Sequence, residues 1–268
     1  MEKIDYLIYG STGFIGSYLY EKLKSNHKTI SIGRSERNDI NLNDLKIKNL
    51  DVKTLIHSAG IAHIKKHANG FDEGFMKEDL AITSNLIKYI QNYKINKVIY
   101  FSSVSVYGKN TGISIDLNSK LVGISGYSKC KIKSETMLLN WGNENGVDVL
   151  IYRLPLVVGE NAKGNLQFAS NLINKGLGIF PKQGGLKSYV SLDYILNKIS
   201  MDKVSTGIFN LVENDLYFTE IILKFCDISG NRIFLINDKL FSLILLPIRF
   251  FNNRIYSKIF SNLTFKKS

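Results

Sequence analysis

Tyr127 and Lys131 stand four residues apart in a stretch with helical spacing, which puts both side chains on one face. A free tyrosine ionises near pH 10, roughly three units too high for proton exchange at neutral pH. An ammonium group beside it favours the phenolate, so the pair can serve as a proton-transfer device. Ser103, which follows the run 97–101, offers a hydroxyl that could orient a substrate hydroxyl or carbonyl. A lone Tyr-x-x-x-Lys is an ordinary surface pair. It gains meaning from the turn Gly10-Ser-Thr12-Gly13-Phe14-Ile15-Gly16 earlier in the chain. Gly10 permits a tight bend, Gly13 lets the backbone approach a pyrophosphate, and Gly16 lets a helix pack on a strand. The N–H groups of the helix that opens there would face phosphates. A glycine turn, a serine after a middle strand and a Tyr/Lys pair, in that order, point to a dinucleotide-dependent oxidoreductase.

The second strand should end beside the adenosine ribose of such a dinucleotide. An acid there binds a 2′-hydroxyl, and a basic residue accepts a 2′-phosphate. The sequence is Ile32-Gly33-Arg34-Ser35, with Glu36 beyond, so Arg34 favours NADP; NAD, with Arg34 stacked on adenine, is the alternative. Lys131 would also hydrogen-bond the nicotinamide ribose, and the positive nicotinamide would further favour the phenolate of Tyr127.

These residues need a scaffold. The apolar run at 6–9 reads as a strand buried on both faces, and 29–32, 54–57, 97–101 and 147–152 read as further strands. Helical patterns at 13–23, 77–92 and 127–140 alternate with them, the signature of a doubly wound, Rossmann-type α/β sheet. Beyond residue 158 the pattern loosens, with a helix expected within 161–178, short strands at 187–192 and 208–211, and a helix at 218–226. We expect a dinucleotide-binding domain over 1–160 and a smaller substrate lobe over 161–268, some of whose segments return to the sheet.

Composition narrows the setting. The 268 residues are 44% hydrophobic and 22% charged, with three prolines, which excludes a disordered chain and a collagen. Cys130 and Cys226 alone make no disulfide framework. The start of the chain runs straight into an apolar strand with no leader pattern, and no apolar run approaches the roughly 18 residues of a membrane span. A cytoplasmic protein is expected. The net charge is +12, but only six of the 35 basic residues are arginine and they do not cluster, so no nucleic-acid partner is expected. Six basic residues and no acid lie in 239–268, a stretch that contains the apolar run 240–251. We read that run as a lobe helix packed on the sheet edge, with contact to a membrane surface as the alternative. The four histidines and two cysteines show no metal-ligand spacing. Cys130 reads as a small helix residue, and His57, Trp141, Leu138 and Leu139 as core.

The chain resembles the extended short-chain dehydrogenase/reductase family, in its NAD-dependent epimerase/dehydratase group acting on nucleotide sugars. The matching stretches are Gly10–Gly16, His57–Gly60 (HSAG), Phe101–Gly108 (FSSVSVYG), Tyr127–Lys131 (YSKCK) and Arg153–Gly159 (RLPLVVG). His63, the PLVVG turn and Lys163-Gly164-Asn165 resemble a bacterial subgroup of UDP-N-acetylhexosamine 4-epimerases and 4-keto-6-deoxysugar 4-reductases of surface polysaccharide (O-antigen) pathways. The resemblance implies that Ser103, Tyr127 and Lys131 are catalytic, and that Gly10, Thr12, Gly13, Phe14, Ile15 and Gly16 line the pyrophosphate. It also implies that Asp39 and Ile40 touch adenine, that Ala59 and Gly60 lie under the adenosine side, and that His63, Asn165, Leu166, Phe180 and Lys187 meet a UDP-linked sugar. A homodimer formed through two helices of each subunit is implied as well.

The departures from the family pattern are Gly126 for a proline, Cys130 for a serine, Asp79 for an asparagine, Val158 for a tyrosine and Lys187 for an arginine, the last costing two-point phosphate recognition. The family also usually continues with a further lobe segment after the position of Thr264–Phe265. The leading expectation is a UDP-4-keto-6-deoxyhexosamine 4-reductase that consumes NADPH. The alternative is a 4-epimerase with tightly bound NAD. Outside catalysis stands an NAD(P)-binding sensor or scaffold. A dehydratase fits less well, because Val104 and Ser105 occupy the places of its usual acid pair.

Overall fold

The computed structural model describes residues 1–42, 49–61, 73–160, 162, 164–201, 204–226, 228, 230–247 and 253–268, and of residues 73–75, 165 and 254 the backbone only. In chain order the strands are β1 (Glu2–Tyr9), β2 (Thr29–Gly33), β3 (Ile40–Asn41), β4 (Leu50–His57), β5 (Lys94–Ser103), β6 (Gly112–Ile115) and β7 (Asp148–Leu154). They continue with β8 (Leu156–Val158), β9 (Ile179–Pro181), β10 (Leu186–Ser191), β11 (Gly207–Asn210), β12 (Asn214–Tyr217), β13 (Phe234–Ile236) and β14 (Leu263–Phe265). The helices are α1 (Phe14–Leu23), α2 (Glu73–Tyr89), α3 (Gly126–Asn145), α4 (Asn165–Asn174), α5 (Leu192–Met201), α6 (Phe218–Phe225), α7 (Asp238–Ile244) and α8 (Asn253–Phe260).

The chain forms two compact units: residues 1–108, 120–153 and 196–209 make the first, and 109–119, 154–195 and 210–268 the second. The first unit takes back 196–209, and the second takes 109–119. Strand β11 returns to edge the first unit's sheet, and 109–119 carries β6, which pairs with β14 near the end of the chain.

In the first unit seven strands run in the order β11-β7-β5-β4-β1-β2-β3, with parallel pairing from β5 through to β3. The central strands are apolar on both faces: Ile4, Leu7 and Ile8 of β1, Val52, Leu55 and Ile56 of β4, and Val98 and Ile99 of β5 are all buried. That is what a parallel sheet covered by helices on each side demands. The register sets Tyr9 opposite His57 and His57 opposite Tyr100, so β1 and β4 end level while β5 runs on to Ser103. The strand order changes direction between β1 and β4, where an open α/β sheet leaves a crevice beyond its carboxyl ends. The second unit holds the sheet β12-β10-β14-β6, with β8 on β10, and a ribbon of β9 and β13. Its core includes Val158, Leu166, Ile173, Phe180, Tyr189 and Ile222.

Candidate active site

The glycine turn joins β1 to α1 as its spacing predicts. Gly10 has φ +96°, a left-handed conformation, and a Cβ there would lie 2.5 Å from the Ala59 backbone nitrogen. A Cβ on Gly16 would strike the Gly10 carbonyl oxygen and Ser58 Oγ. Ser58 ties the two motifs together, its Oγ donating to the carbonyls of Tyr9 at 3.1 Å and Gly10 at 3.3 Å. Gly13 is the N-cap of α1, and the first amide to find a carbonyl within the helix is that of Ser17, to Gly13 at 2.9 Å. The amides of Phe14, Ile15 and Gly16 therefore form the open, electropositive end of α1. A cavity of about 330 Å³ lies against this turn, lined by Gly10, Thr12, Gly13, Arg34, Ala59 and Gly60 among others. Ile61, Ile82 and Asn38 also line it, and the sequence reading did not single them out.

The catalytic candidates come together in the same unit. Helix α3 begins at Gly126 because Ser125 caps it: Ser125 Oγ accepts from the Ser128 amide at 3.2 Å, and Ser128 Oγ from the Ser125 amide at 2.9 Å. This reciprocal cap sets Tyr127 in the first turn and Lys131 one turn later. Lys131 Nζ donates to the Phe101 carbonyl at 3.1 Å and sits 4.7 Å above the Tyr100 ring and 5.7 Å from the Tyr127 ring centre. Burial pushes the Tyr127 phenol above its ordinary value of 10.0, while the Lys131 ammonium and the Ser103 hydroxyl pull it down; Tyr100 and the Asp79 carboxylate add to the rise. Burial is the largest of these influences, so the phenol stays above its ordinary value.

Two neighbouring arrangements were not legible from motifs. Tyr9, His57 and Tyr100 form a row of tilted rings across the strand ends, with centroids 5.2 and 4.8 Å apart, and the row ends under Lys131. His57 is fully buried; Nε2 meets Thr83 Oγ1 at 3.0 Å, and burial followed by the Lys131 charge holds its pKa well below 6.5. It is a neutral core histidine. Behind Ser103, Glu135 of α3 accepts from Ser102 Oγ at 2.5 Å and from Arg153 of β7, whose Nη1 donates to Tyr107 Oη at 3.1 Å. Asp79 of α2, only 4% exposed, accepts from the Ile61 amide at 2.8 Å and so pins the loop after β4. Its exchange for the usual asparagine was the signal available. Cys130 is buried, with its thiol pushed up to about 11 by burial, an inert helix residue.

Other expected contacts are placed differently. Asp39 accepts from the Ser31 amide at 2.7 Å, Ser31 Oγ at 2.8 Å and Tyr20 Oη at 2.9 Å, all on one oxygen, and Ile40 is buried in β3; neither lines the cavity. Leu166 and Phe180 are 3% and 5% exposed, with their side chains in the core of the second unit. Lys187 donates to the carbonyls of Ser257 and Ser261 at the end of α8, and burial lowers its pKa to about 8. His63 and the Asn165 side chain lie outside the described residues.

The model of the NAD dependent epimerase/dehydratase family matches residues 6–180, and the chain belongs to this family. An uncharacterized UDP-glucose epimerase of Bacillus subtilis is 23% identical over 204 residues, 65% of this chain and 64% of that one. The Escherichia coli O157:H7 N-acetyl-α-D-glucosaminyl-diphospho-ditrans,octacis-undecaprenol 4-epimerase is 27% identical over 153 residues, 53% of this chain and 45% of that one. The matched stretch thus spans less than two thirds of these curated relatives' own lengths. Among solved structures, the Bacillus cereus UDP-glucuronic acid 4-epimerase with NAD is similar at a TM-score of 0.68, with 18% identity over 87% of this chain and 86% of that one. The Methanobrevibacter ruminantium UDP-N-acetylglucosamine 4-epimerase is similar at 0.66, with 17% identity, 89% and 86%. At such identities these neighbours speak to the fold.

The first unit fits a dinucleotide. The cavity lies against the glycine turn, the start of α1 offers open amides, and Lys131 Nζ would come within 3.2 Å of a Cβ on Gly60 at the cavity wall.

Proposed function

We propose that the protein is a 4-epimerase of a diphosphate-linked hexose, with a uridine nucleotide as the carrier. The placement of Lys131 between the Phe101 carbonyl and the ring of Tyr127, whose hydroxyl meets Ser103, carries this reading. Family membership and the epimerases among its relatives and neighbours support it. Gly10, Gly13, Phe14, Ile15 and Gly16 would hold the dinucleotide's pyrophosphate, and Ala59 and Gly60 its adenosine side. When bound, its nicotinamide would supply the acceptor and donor of a hydride at sugar C4. Ser103 orients the C4 oxygen by hydrogen bonding. Tyr127 removes and returns the proton on that oxygen, and Lys131 steadies the phenolate while positioning the ribose. We assign the nucleotide diphosphate to Asn165 and Lys187, and the sugar to His63. Lys187 must then trade carbonyl partners for phosphate oxygens. We propose a homodimer, which a mass measurement in solution tests.

One observation favours a second reading. Arg34 lines the cavity beside Ser35 and Asn38, where a 2′-phosphate would lie, and this supports an NADPH-consuming 4-keto-sugar reductase of polysaccharide synthesis. Mass spectrometry of cofactor released from native protein, with NAD and NADPH titrations beside it, decides between the two. Retained stoichiometric NAD supports the epimerase. An empty site that prefers NADPH supports the reductase. Wild-type turnover of UDP-sugars by Tyr127→Phe would overturn both, and absence of any turnover would leave the sensor reading.

A further inference from the structure

Helix α7 in the second unit is apolar on both sides. Its inner side carries Phe241, buried and 6.1 Å from the Phe260 ring of α8, and Ser242, whose hydroxyl lies 2.8 Å from Tyr256 Oη. Its outer side carries Leu240, Leu243 and Ile244, at i, i+3 and i+4, which are 51, 60 and 56% exposed. On α8, Ile255 is 44% exposed. A helix that merely packed on a lobe would bury its apolar stripe; this one turns a stripe outward. A contiguous exposed apolar stripe of this kind marks a contact surface.

The surrounding charge selects the partner. Lys239 and Lys258 are exposed on the same two helices. The neighbouring acid, Asp238, is turned inward, its two oxygens accepting from the amides of Gln183 and Gly184 at 3.0 Å each. A two-fold contact with a second copy would set this cationic patch against itself. An anionic lipid surface instead takes the apolar stripe at the acyl boundary and the lysines at the headgroups. Among the described residues no helix is long and apolar enough to cross a membrane, so the mode is interfacial. We infer that the α7–α8 face of the second unit is a docking surface for an anionic membrane, with Leu240, Leu243, Ile244 and Ile255 entering the interface and Lys239 and Lys258 flanking them.

Co-sedimentation of the full chain with vesicles tests this directly. The protein should sediment with equimolar phosphatidylcholine/phosphatidylglycerol vesicles, stay in solution with phosphatidylcholine alone, and release as salt rises. The triple variant Leu240→Gln, Leu243→Gln, Ile244→Gln should bind roughly tenfold more weakly. Its thermal midpoint should be unchanged, because these sites are exposed. Lys239→Glu with Lys258→Glu, a second and independent variant, should lose the preference for the anionic vesicles. Wild-type binding that is absent, or equal on both vesicle types, overturns the inference. So does binding that survives both variants, or a triple variant that only converts a dimer to a monomer in sedimentation velocity.

Discussion

Arg153 and Glu135 meet at two points, Nε to Oε1 at 3.1 Å and Nη2 to Oε2 at 2.8 Å, with both side chains 4% exposed. The pair joins β7 to α3 one turn beyond Lys131, and Ser102 and Tyr107 attach the end of β5 to it. Removing one partner strands a charge in the core, which costs about 3–5 kcal/mol. Arg153→Met and Glu135→Leu should each lower the unfolding free energy from urea titrations by that amount, and the double variant should recover part of the loss. Equal midpoints for wild type and single variants would show that the pair is dispensable.

Tyr127→Phe removes one hydroxyl and leaves the ring that Lys131 overlies. Turnover should fall roughly 10²–10⁴-fold. The cofactor content of the purified variant should match wild type, since the glycine turn is untouched, and mass spectrometry checks this.

The Asp79 carboxylate raises the Tyr127 pKa through its charge and holds the Ile61 amide through Oδ1. Asp79→Asn keeps an acceptor for that amide and deletes the charge. Phenolate then forms at lower pH, so the acid limb of kcat/KM should move down in pH. A limb that stays in place would show that the charge does not reach the tyrosine.

His57 also gives stability a pH dependence. Its folded pKa lies well below the ordinary 6.5, so as pH falls below 6.5 the unfolded chain takes up a proton that the folded one refuses. The stability it contributes is complete above 6.5 and is lost as pH falls towards the folded value. Urea midpoints measured above and below pH 6.5 should drop more in wild type than in His57→Gln.

Gly16→Ala places a methyl group on the Gly10 carbonyl and Ser58 Oγ, and Gly10→Ala forces a left-handed residue against the Ala59 nitrogen. Both variants should lose NAD binding, read as the loss of the ligand-induced rise in Tm.

The parts of the molecule readable from sequence are those where one local pattern meets one local need. Strands β1, β4 and β5 are covered on both faces, so their residues are apolar in unbroken runs. Gly10 and Gly16 are forced by backbone approach, and the approach follows from strand–turn–helix order. Ser103, Tyr127 and Lys131 were singled out by order and spacing, and all three lie in the first unit. What escaped notice depends on pairing across the chain. Arg153 finds Glu135 eighteen residues earlier, and nothing local in either announces the other. Asp39 reads as a ligand contact by position yet turns back onto Ser31. Leu166 and Phe180 carried a substrate role only by resemblance. Leu166, Ala169 and Ile173, at i, i+3 and i+7, already marked the inner face of α4, where the structure buries them. Ser125 was missed as a helix start because its reciprocal partner is Ser128 rather than an acid.

The interleaving of the two units has a consequence for synthesis. Six segments alternate between them, and the last piece of the seven-stranded sheet is β11 at Gly207–Asn210. A ribosome making this chain has released three quarters of it before the strand that closes the first unit's edge exists. During that time β7 carries an open flank, the kind of unpaired template that recruits other chains.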